Sequence, residues 1–359
     1  METKIEPIIC KIDDTSVGLQ EFQDELWAGA TEKERDIMLQ FPTVYIHNWK
    51  DTEDYEVYIG ESNNVIQRTK QHYENSDDKS KWRHQLKDHN ASLYIIGHEH
   101  FNKSLTLDIE NRLMLYLMGV DRVKKIHNIR GNPQNKYYPD SELDDIFRMM
   151  WRKLRRDNKE LFPKESAIKD SAVFKASPLH KLTPDQESIK GIIIERVFDA
   201  LKSGKKHQII FIEGEAGTGK TVLNSSTFYE LYSKAEEENN TISCYMMVNH
   251  DEQITVYSQI VQKLGLTDKH GEVVCKPTSF INKHTMDEPV DVAFIDEAHL
   301  LLTQGKQSYQ GENQLQDIID RARVTVVMFD ENQILTTEQY WEVQILNKFR
   351  NQAKGSNNY

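Results

Sequence analysis

The run Gly214-Glu215-Ala216-Gly217-Thr218-Gly219-Lys220-Thr221 has the spacing G-x-x-x-x-G-K-[ST] and directly follows the apolar stretch Gln208–Glu213. Glycines let successive backbone N–H groups curl around phosphate oxygens, and the N-terminus of a following helix adds positive potential. In that setting Lys220 reaches the β- and γ-phosphates of ATP and the Thr221 hydroxyl ligates Mg²⁺. A second apolar run, Val290–Ile295, ends in Asp296-Glu297-Ala298-His299. An acid at the tip of a buried parallel strand can hold the metal, here Asp296, and the acid beside it, Glu297, can orient the attacking water. Alone, such a pair reads equally well as a helix cap; beside the phosphate loop it reads as nucleotide chemistry.

Three flanking segments extend this pattern. Val324–Phe329 ends in Asp330-Glu331-Asn332-Gln333, Leu182-Thr183-Pro184-Asp185-Gln186 precedes the loop, and Leu346-Asn347-Lys348-Phe349-Arg350 follows it. In order and distance the set resembles superfamily 1 helicases and is similar to the Schlafen-group-3-like helicase/ATPase domains. The resemblance implies that Gln186 reads adenine, that Gln333 senses the γ-phosphate, and that Arg350 is an arginine finger, with an ordinary surface arginine as the alternative. The sequence ends at Tyr359, just past that arginine. The resemblance therefore implies either that another subunit supplies the second RecA-like lobe or that the chain is a truncated product.

A second constellation lies upstream. Val44-Tyr45-Ile46 and Tyr58-Ile59-Gly60 sit on two neighbouring β-rich stretches, where paired tyrosines are also a common packing device. Arg68 and His72 are four residues apart, so one helix turns both toward the same pocket. Glu110 follows within Leu107-Asp108-Ile109-Glu110-Asn111-Arg112. Together these resemble the GIY-YIG nucleases, with Thr43 and Val44 standing where that family usually has Gly and Ile. Phosphodiester hydrolysis requires a deprotonated water, neutralisation of transition-state charge and help for the leaving oxygen. Arg68 suits a bidentate phosphate clamp, and Glu110 offers the hard oxygen that Mg²⁺ prefers. The resemblance casts Tyr45 as the residue that activates water, with His72 taking its proton. It casts Tyr58 as orienting the phosphate or water, and Asn128 as the family's late asparagine.

Other residues compete for attention. His98-Glu99-His100, with His84 and His89 nearby, contains a His-x-His that can bind metal. With no cysteine or third ligand at familiar spacing, it reads as something other than a zinc site. Trp82 and Tyr94 read as core aromatics or as platforms for DNA bases. Basic clusters at residues 79–83, 122–130 and 151–156 read singly as solvated helix faces.

The elements that must position these residues follow from length and periodicity. A chain of 359 residues exceeds the usual single core, so two α/β domains are expected. Residues 1–40 read as a lead-in and residues 41–140 as a small GIY-YIG-like α/β nuclease domain running strand, strand, helix, strand, helix. A hairpin loop is expected over residues 48–54, and the turn-rich residues 130–138 close the unit. Residues 141–179 read as a charged helical connector, and residues 180–359 as a RecA-like P-loop domain with a parallel sheet flanked by helices.

Composition sets limits. With 38% hydrophobic and 28% charged residues and a mean hydropathy of −0.67, the chain matches ordinary globular proteins. No apolar run approaches the roughly 20 residues that span a bilayer, and the N-terminus lacks a signal-peptide core; no membrane partner and a cytoplasmic location are expected. Cys10, Cys244 and Cys275 are widely separated and read as inert thiols. A net charge of −12 argues against indiscriminate nucleic-acid binding. The leading expectation is a DNA-processing enzyme with Mg²⁺ and ATP as cofactors, in restriction, phage defence or repair by analogy. A regulatory switch that only binds DNA, and an inactive truncated helicase, remain as rivals.

Overall fold

The computed structural model describes residues 5–74, 82, 90–128, 140–305, 309–333, 341–356 and 358–359. The basic run at 79–83 apart from Trp82, together with His84, His89 and the turn-rich segment 130–138, lies outside the described residues. The chain divides into two compact units, Met1–Phe174 with Gln262–Gly265, and Lys175–Val261 with Leu266–Tyr359.

The first unit is built on β1 (Ile8–Asp13), β2 (Thr43–Asp51), β3 (Asp54–Ser62), β4 (Ser92–Gly97) and β5 (Val123–Ile126), in the order β1-β4-β2-β3-β5. β1, β4, β2 and β3 pair antiparallel, and β5 joins β3 in parallel. Its longer helices are α1 (Ser16–Gly29), α2 (Glu32–Leu39), α3 (Val65–Glu74), α4 (Lys103–Met118) and α5 (Leu143–Asp157).

Three features depart from the sequence-based expectation. β1 pairs with β4 from Ile8↔Gly97 to Asp13↔Ser92, so this part of the expected lead-in is an edge strand of the sheet, where its apolar patch finds cover. The expected 48–54 loop is mostly strand: pairing continues through Trp49↔Glu56 and Lys50↔Tyr55 to Asp51↔Asp54, leaving a tight turn with Thr52 at φ +61°. Burial of Trp49 and Tyr55 rewards that extension. Most of the supposed connector, as far as Phe174, also belongs here. α5 buries Ile146, Phe147, Met150, Trp151 and Leu154, and Tyr116 of α4 meets Phe147 and Trp151 at centroid distances of 4.7 and 5.2 Å.

The second unit carries a wholly parallel sheet of β6 (Gln208–Glu213), β7 (Cys244–Met247), β8 (Val274–Cys275), β9 (Val290–Ile295) and β10 (Ala322–Phe329), ordered β6-β10-β9-β7-β8. Its larger helices are α6 (Pro184–Lys202), α7 (Lys220–Glu237), α8 (Asp251–Lys263), α9 (Pro277–Lys283), α10 (Gln314–Ile319) and α11 (Val343–Gly355). Alternate residues of each strand face opposite sides. Ala293 and Ile295 of β9 join a core with Phe280, Leu315, Ile318 and Phe349. Phe294 points the other way, onto Phe228 of α7 at 5.7 Å. Helices therefore cover both faces, as burial of a parallel sheet requires.

Candidate functional site

Strand alternation assembles the first cluster. Tyr45, His47 and Trp49 share one face of β2, and across the ladder Tyr58 stands opposite His47 while Gly60 stands opposite Tyr45. A Cβ at position 60 would overlap the Tyr45 ring and hydroxyl, so glycine is what lets that ring lie over β3. α3 starts where the Asn64 side chain accepts from Gln67 N at 3.0 Å. Its buried residues Val65, Thr69 and His72 recur at helical spacing and turn His72 inward.

Tyr45 Oη lies 3.2 Å from His72 Nε2 in a buried setting. The Arg68 guanidinium lies close enough to Tyr45 and Tyr58 for the charges of these groups to bear on one another. On α4, Glu110 is 5% exposed; Asn128 Nδ2 donates to its Oε1 at 3.2 Å and to Ile59 O at 2.8 Å. Burial, then the neighbouring Tyr58, push the Tyr45 phenol well above its ordinary value; Arg68 pulls against this and Glu110 adds to it. The structure thus gathers Tyr45, Tyr58, Arg68 and His72 into one cluster, with Glu110 near enough for its charge to bear on Tyr45. Glu110 fits Mg²⁺, which keeps much of its water and asks for one or two carboxylates.

Sequence reasoning singled out Trp82 without placing it in this cluster, and missed His47 and Asp14. Trp82 stacks on Tyr58 with centroids 4.2 Å apart. His47 and Asp14 are both buried and joined through Nδ1 and Oδ2 at 2.6 Å. The signal was available in the alternation Tyr45-x-His47-x-Trp49, which puts the imidazole on the tyrosine face. Tyr94, by contrast, is core, set edge-on to Phe162 at 5.5 Å. His98 Nε2 sits 3.2 Å from Ile5 O and His100 pairs with Glu142. Among the described residues, no group of three His, Cys, Asp or Glu side chains could hold a metal ion.

The phosphate loop lies between β6 and α7. Gly217 and Gly219 have φ of +79° and +81°, left-handed values that glycine adopts without a Cβ penalty. Thr218 Oγ1 donates to Glu215 O at 2.8 Å, across Ala216. Lys220 Nζ donates to Gly214 O and Glu215 O at 2.6 and 2.8 Å and pairs with Asp330 Oδ2 at 3.3 Å. Gln186, fixed by a capping box with Thr183 at the start of α6, donates from Nε2 to Thr218 O at 3.0 Å. The Thr221 hydroxyl lies near Asp296 and helps to hold its carboxyl down.

Asp296 is 1% exposed. Its Oδ2 accepts from Tyr257 Oη at 2.7 Å and its Oδ1 from Glu297 N at 3.2 Å. Burial raises its carboxyl above the usual range, while Tyr257, the Glu297 amide, Thr221 and Lys220 pull it back. Glu297 is held at φ +50°, ψ +48°, a conformation unfavourable for a residue with a side chain and typical of functional sites. Burial, then the charge of Asp296, raise its carboxyl; Lys220 opposes and Asp330 adds. The hydroxyl of Thr221 and the carboxylate of Asp296 form a hard oxygen pair suited to Mg²⁺. Arg350 reaches this end of the sheet through Glu213 Oε1, 3.0 Å from Nε, and Glu331 Oε2, 2.7 Å from Nη2. Gln333 occupies the short turn after β10 and donates its backbone N–H to Asp330 O at 3.4 Å. Tyr257, 39 residues from Asp296 in sequence, belongs to no motif and was not foreseen.

Comparison with known proteins now bears on this second site. Residues 207–358 match the family described as Schlafen group 3, DNA/RNA helicase domain. The chain therefore carries a helicase-like domain, spanning β6 to the end of α11, and such a domain implies binding of nucleotide and nucleic acid. An uncharacterized protein of Saccharomyces cerevisiae is 32% identical over 174 residues, which make up 45% of this chain and 38% of that protein. The chain thus spans well under half the length of that relative. No helix among the described residues is long and apolar enough to cross a membrane.

Proposed function

We propose that the chain is a DNA-processing enzyme in which Mg²⁺-dependent cleavage of the phosphodiester backbone in the first unit is joined to ATP binding and hydrolysis in the helicase-like second. The observation that carries the nuclease half is the buried Tyr45–His72 hydrogen bond of 3.2 Å, with Arg68 beside both tyrosines. A phenol raised so far by burial ionises only by handing its proton to a base already in contact, and His72 Nε2 is that base. The Tyr45 phenolate then takes a proton from water, the resulting hydroxide attacks phosphorus, and the bond to the sugar breaks with its electron pair going to the sugar oxygen, which takes a proton from solvent while His72 returns its own. Arg68 clamps two phosphate oxygens and, with Tyr58, sets the phosphate in line. Mg²⁺ held by Glu110 would add positive charge against the transition state.

In the second unit, Lys220 would exchange the Gly214 and Glu215 carbonyls for phosphate oxygens when ATP binds. Glu297 would orient the attacking water. Thr221 and Asp296 would hold the nucleotide's Mg²⁺, and Gln186, Gln333 and Arg350 would read adenine and the γ-phosphate.

The test is incubation of the full chain with supercoiled plasmid and Mg²⁺, with and without ATP. Nicked or linear product that EDTA abolishes is expected. Intact plasmid under every condition, and with branched and single-stranded substrates, would overturn the nuclease reading.

A further inference from the structure

Behind the Tyr45–His72 pair stands a second imidazole that the mechanism above does not use. His47 is 0% exposed and Asp14 3%. The Asp14 carboxylate accepts twice: from His47 Nδ1 at 2.6 Å through Oδ2, and from Tyr73 Oη at 2.7 Å through Oδ1. Burial and the Asp14 charge drive the Tyr73 phenol upward, so Tyr73 stays protonated and serves as a donor. A carboxylate only accepts, so His47 must present its proton at Nδ1. That leaves the Nε2 lone pair, and this nitrogen is buried with no hydrogen-bond partner among the described residues.

The surroundings of that ring are those of the nuclease cluster. The His47 ring centroid is 5.4 Å from Tyr45, 5.9 Å from Tyr58, 5.4 Å from His72 and 5.4 Å from Trp82. The His72 ring stands nearly perpendicular to it, at 85°. A fold whose only need was packing would fill this position with an apolar ring, since an unpaired buried nitrogen and a buried carboxylate are both costly.

We propose that Asp14 and His47 form a positioning dyad for phosphodiester cleavage. When the proton of Tyr45 Oη passes to His72 Nε2, the O–H bond breaks, an N–H bond forms, and a phenolate and an imidazolium result. While the phenolate stands beside it the imidazolium is compensated; once Tyr45 has taken a proton from water, the imidazolium remains as an added cation in the cluster that Arg68 also joins, where like charges repel. The Nε2 lone pair of His47, with the negative charge of Asp14 behind it, offsets that repulsion. The logic is that of an acid that orients a histidine by fixing its tautomer, transposed one ring further from the reacting atom. The inference rests on reading this cluster as a nuclease.

Asp14→Asn tests it. The amide keeps the size of the side chain but can donate to Nδ1, which moves the imidazole proton to Nε2 and removes both the lone pair and the charge. Single-turnover cleavage is expected to fall at least tenfold, while the DNA dissociation constant measured in EDTA stays within twofold and ATP hydrolysis is unchanged. A cleavage rate within twofold of the unaltered chain would overturn the dyad, as would a loss matched by an equal loss of DNA binding, which is what a purely structural role produces. Should Asp14→Asn not fold, His47→Gln, which keeps a donor for Asp14 but lacks the imidazole, is read by the same two quantities. The unaltered chain and Glu110→Ala are run alongside. Absence of cleavage by the unaltered chain overturns the nuclease reading and the dyad together, whereas cleavage lost in Glu110→Ala and retained in Asp14→Asn overturns the dyad alone.

Discussion

Gly60 and Tyr257 illustrate how single side chains set the two sites. Because a Cβ at position 60 would collide with the Tyr45 ring, Gly60→Ala must displace the ring, the strand or both. Such overpacking costs about 1–3 kcal/mol, to be measured by urea denaturation, and cleavage is expected to fall at least tenfold as Tyr45 leaves His72. Unchanged cleavage would mean that the ring position is not what matters. Tyr257→Phe removes the donor to Oδ2 of Asp296. Leaving a buried carboxylate oxygen unpaired costs about 1–3 kcal/mol, and the Mg²⁺ concentration for half-maximal ATP hydrolysis is expected to rise several-fold. A flat response in a magnesium titration would refute this. These residues also mark the limits of reading the sequence. Gly60 was legible because the tyrosine-isoleucine-glycine run demands it. Tyr257 was not, since only the packing of α8 against the tip of β9 gives it a partner.

At the level of elements, periodicity identified most strands and misjudged their extents. The four long β-rich runs of the second unit stand out because a buried parallel strand is apolar on both faces, whereas the two-residue β8 has no signature of its own. In the first unit, β2 and β3 outlast their apolar cores because Trp49 and Tyr55 are buried beyond them. β1 read only as part of a lead-in because its partner, β4, lies some eighty residues later, a pairing that local pattern cannot reveal. Its removal tests the point. Deleting residues 5–13 strips the six-residue ladder to β4, unpairs that edge and frees Asp14. We expect the thermal transition of the first unit to fall by about 5 °C or more and cleavage to be lost, with ATP hydrolysis retained; unchanged melting would contradict the assignment of β1 to the sheet.

Over the whole molecule, the alternating pattern of the second half and the strand-rich first half were enough to expect two α/β units, and the contact pattern divides the chain near Phe174. A net charge of −12 means that any grip on a polyanion must come from local groups such as Arg68 and Lys220 and must weaken with salt. The helicase-like domain gives the second site its family likeness, while the first site rests on its own geometry. The proposed function requires two phosphate-handling sites with different chemistry. The direct measurement is cleavage of a labelled DNA and hydrolysis of ATP, followed in the same preparations of the unaltered chain, Glu110→Ala and Lys220→Ala. The expected result is a loss of cleavage of about a thousandfold in Glu110→Ala with ATP hydrolysis intact, and a comparable loss of ATP hydrolysis in Lys220→Ala. Cleavage that survives Glu110→Ala, or ATP hydrolysis that survives Lys220→Ala, would contradict it.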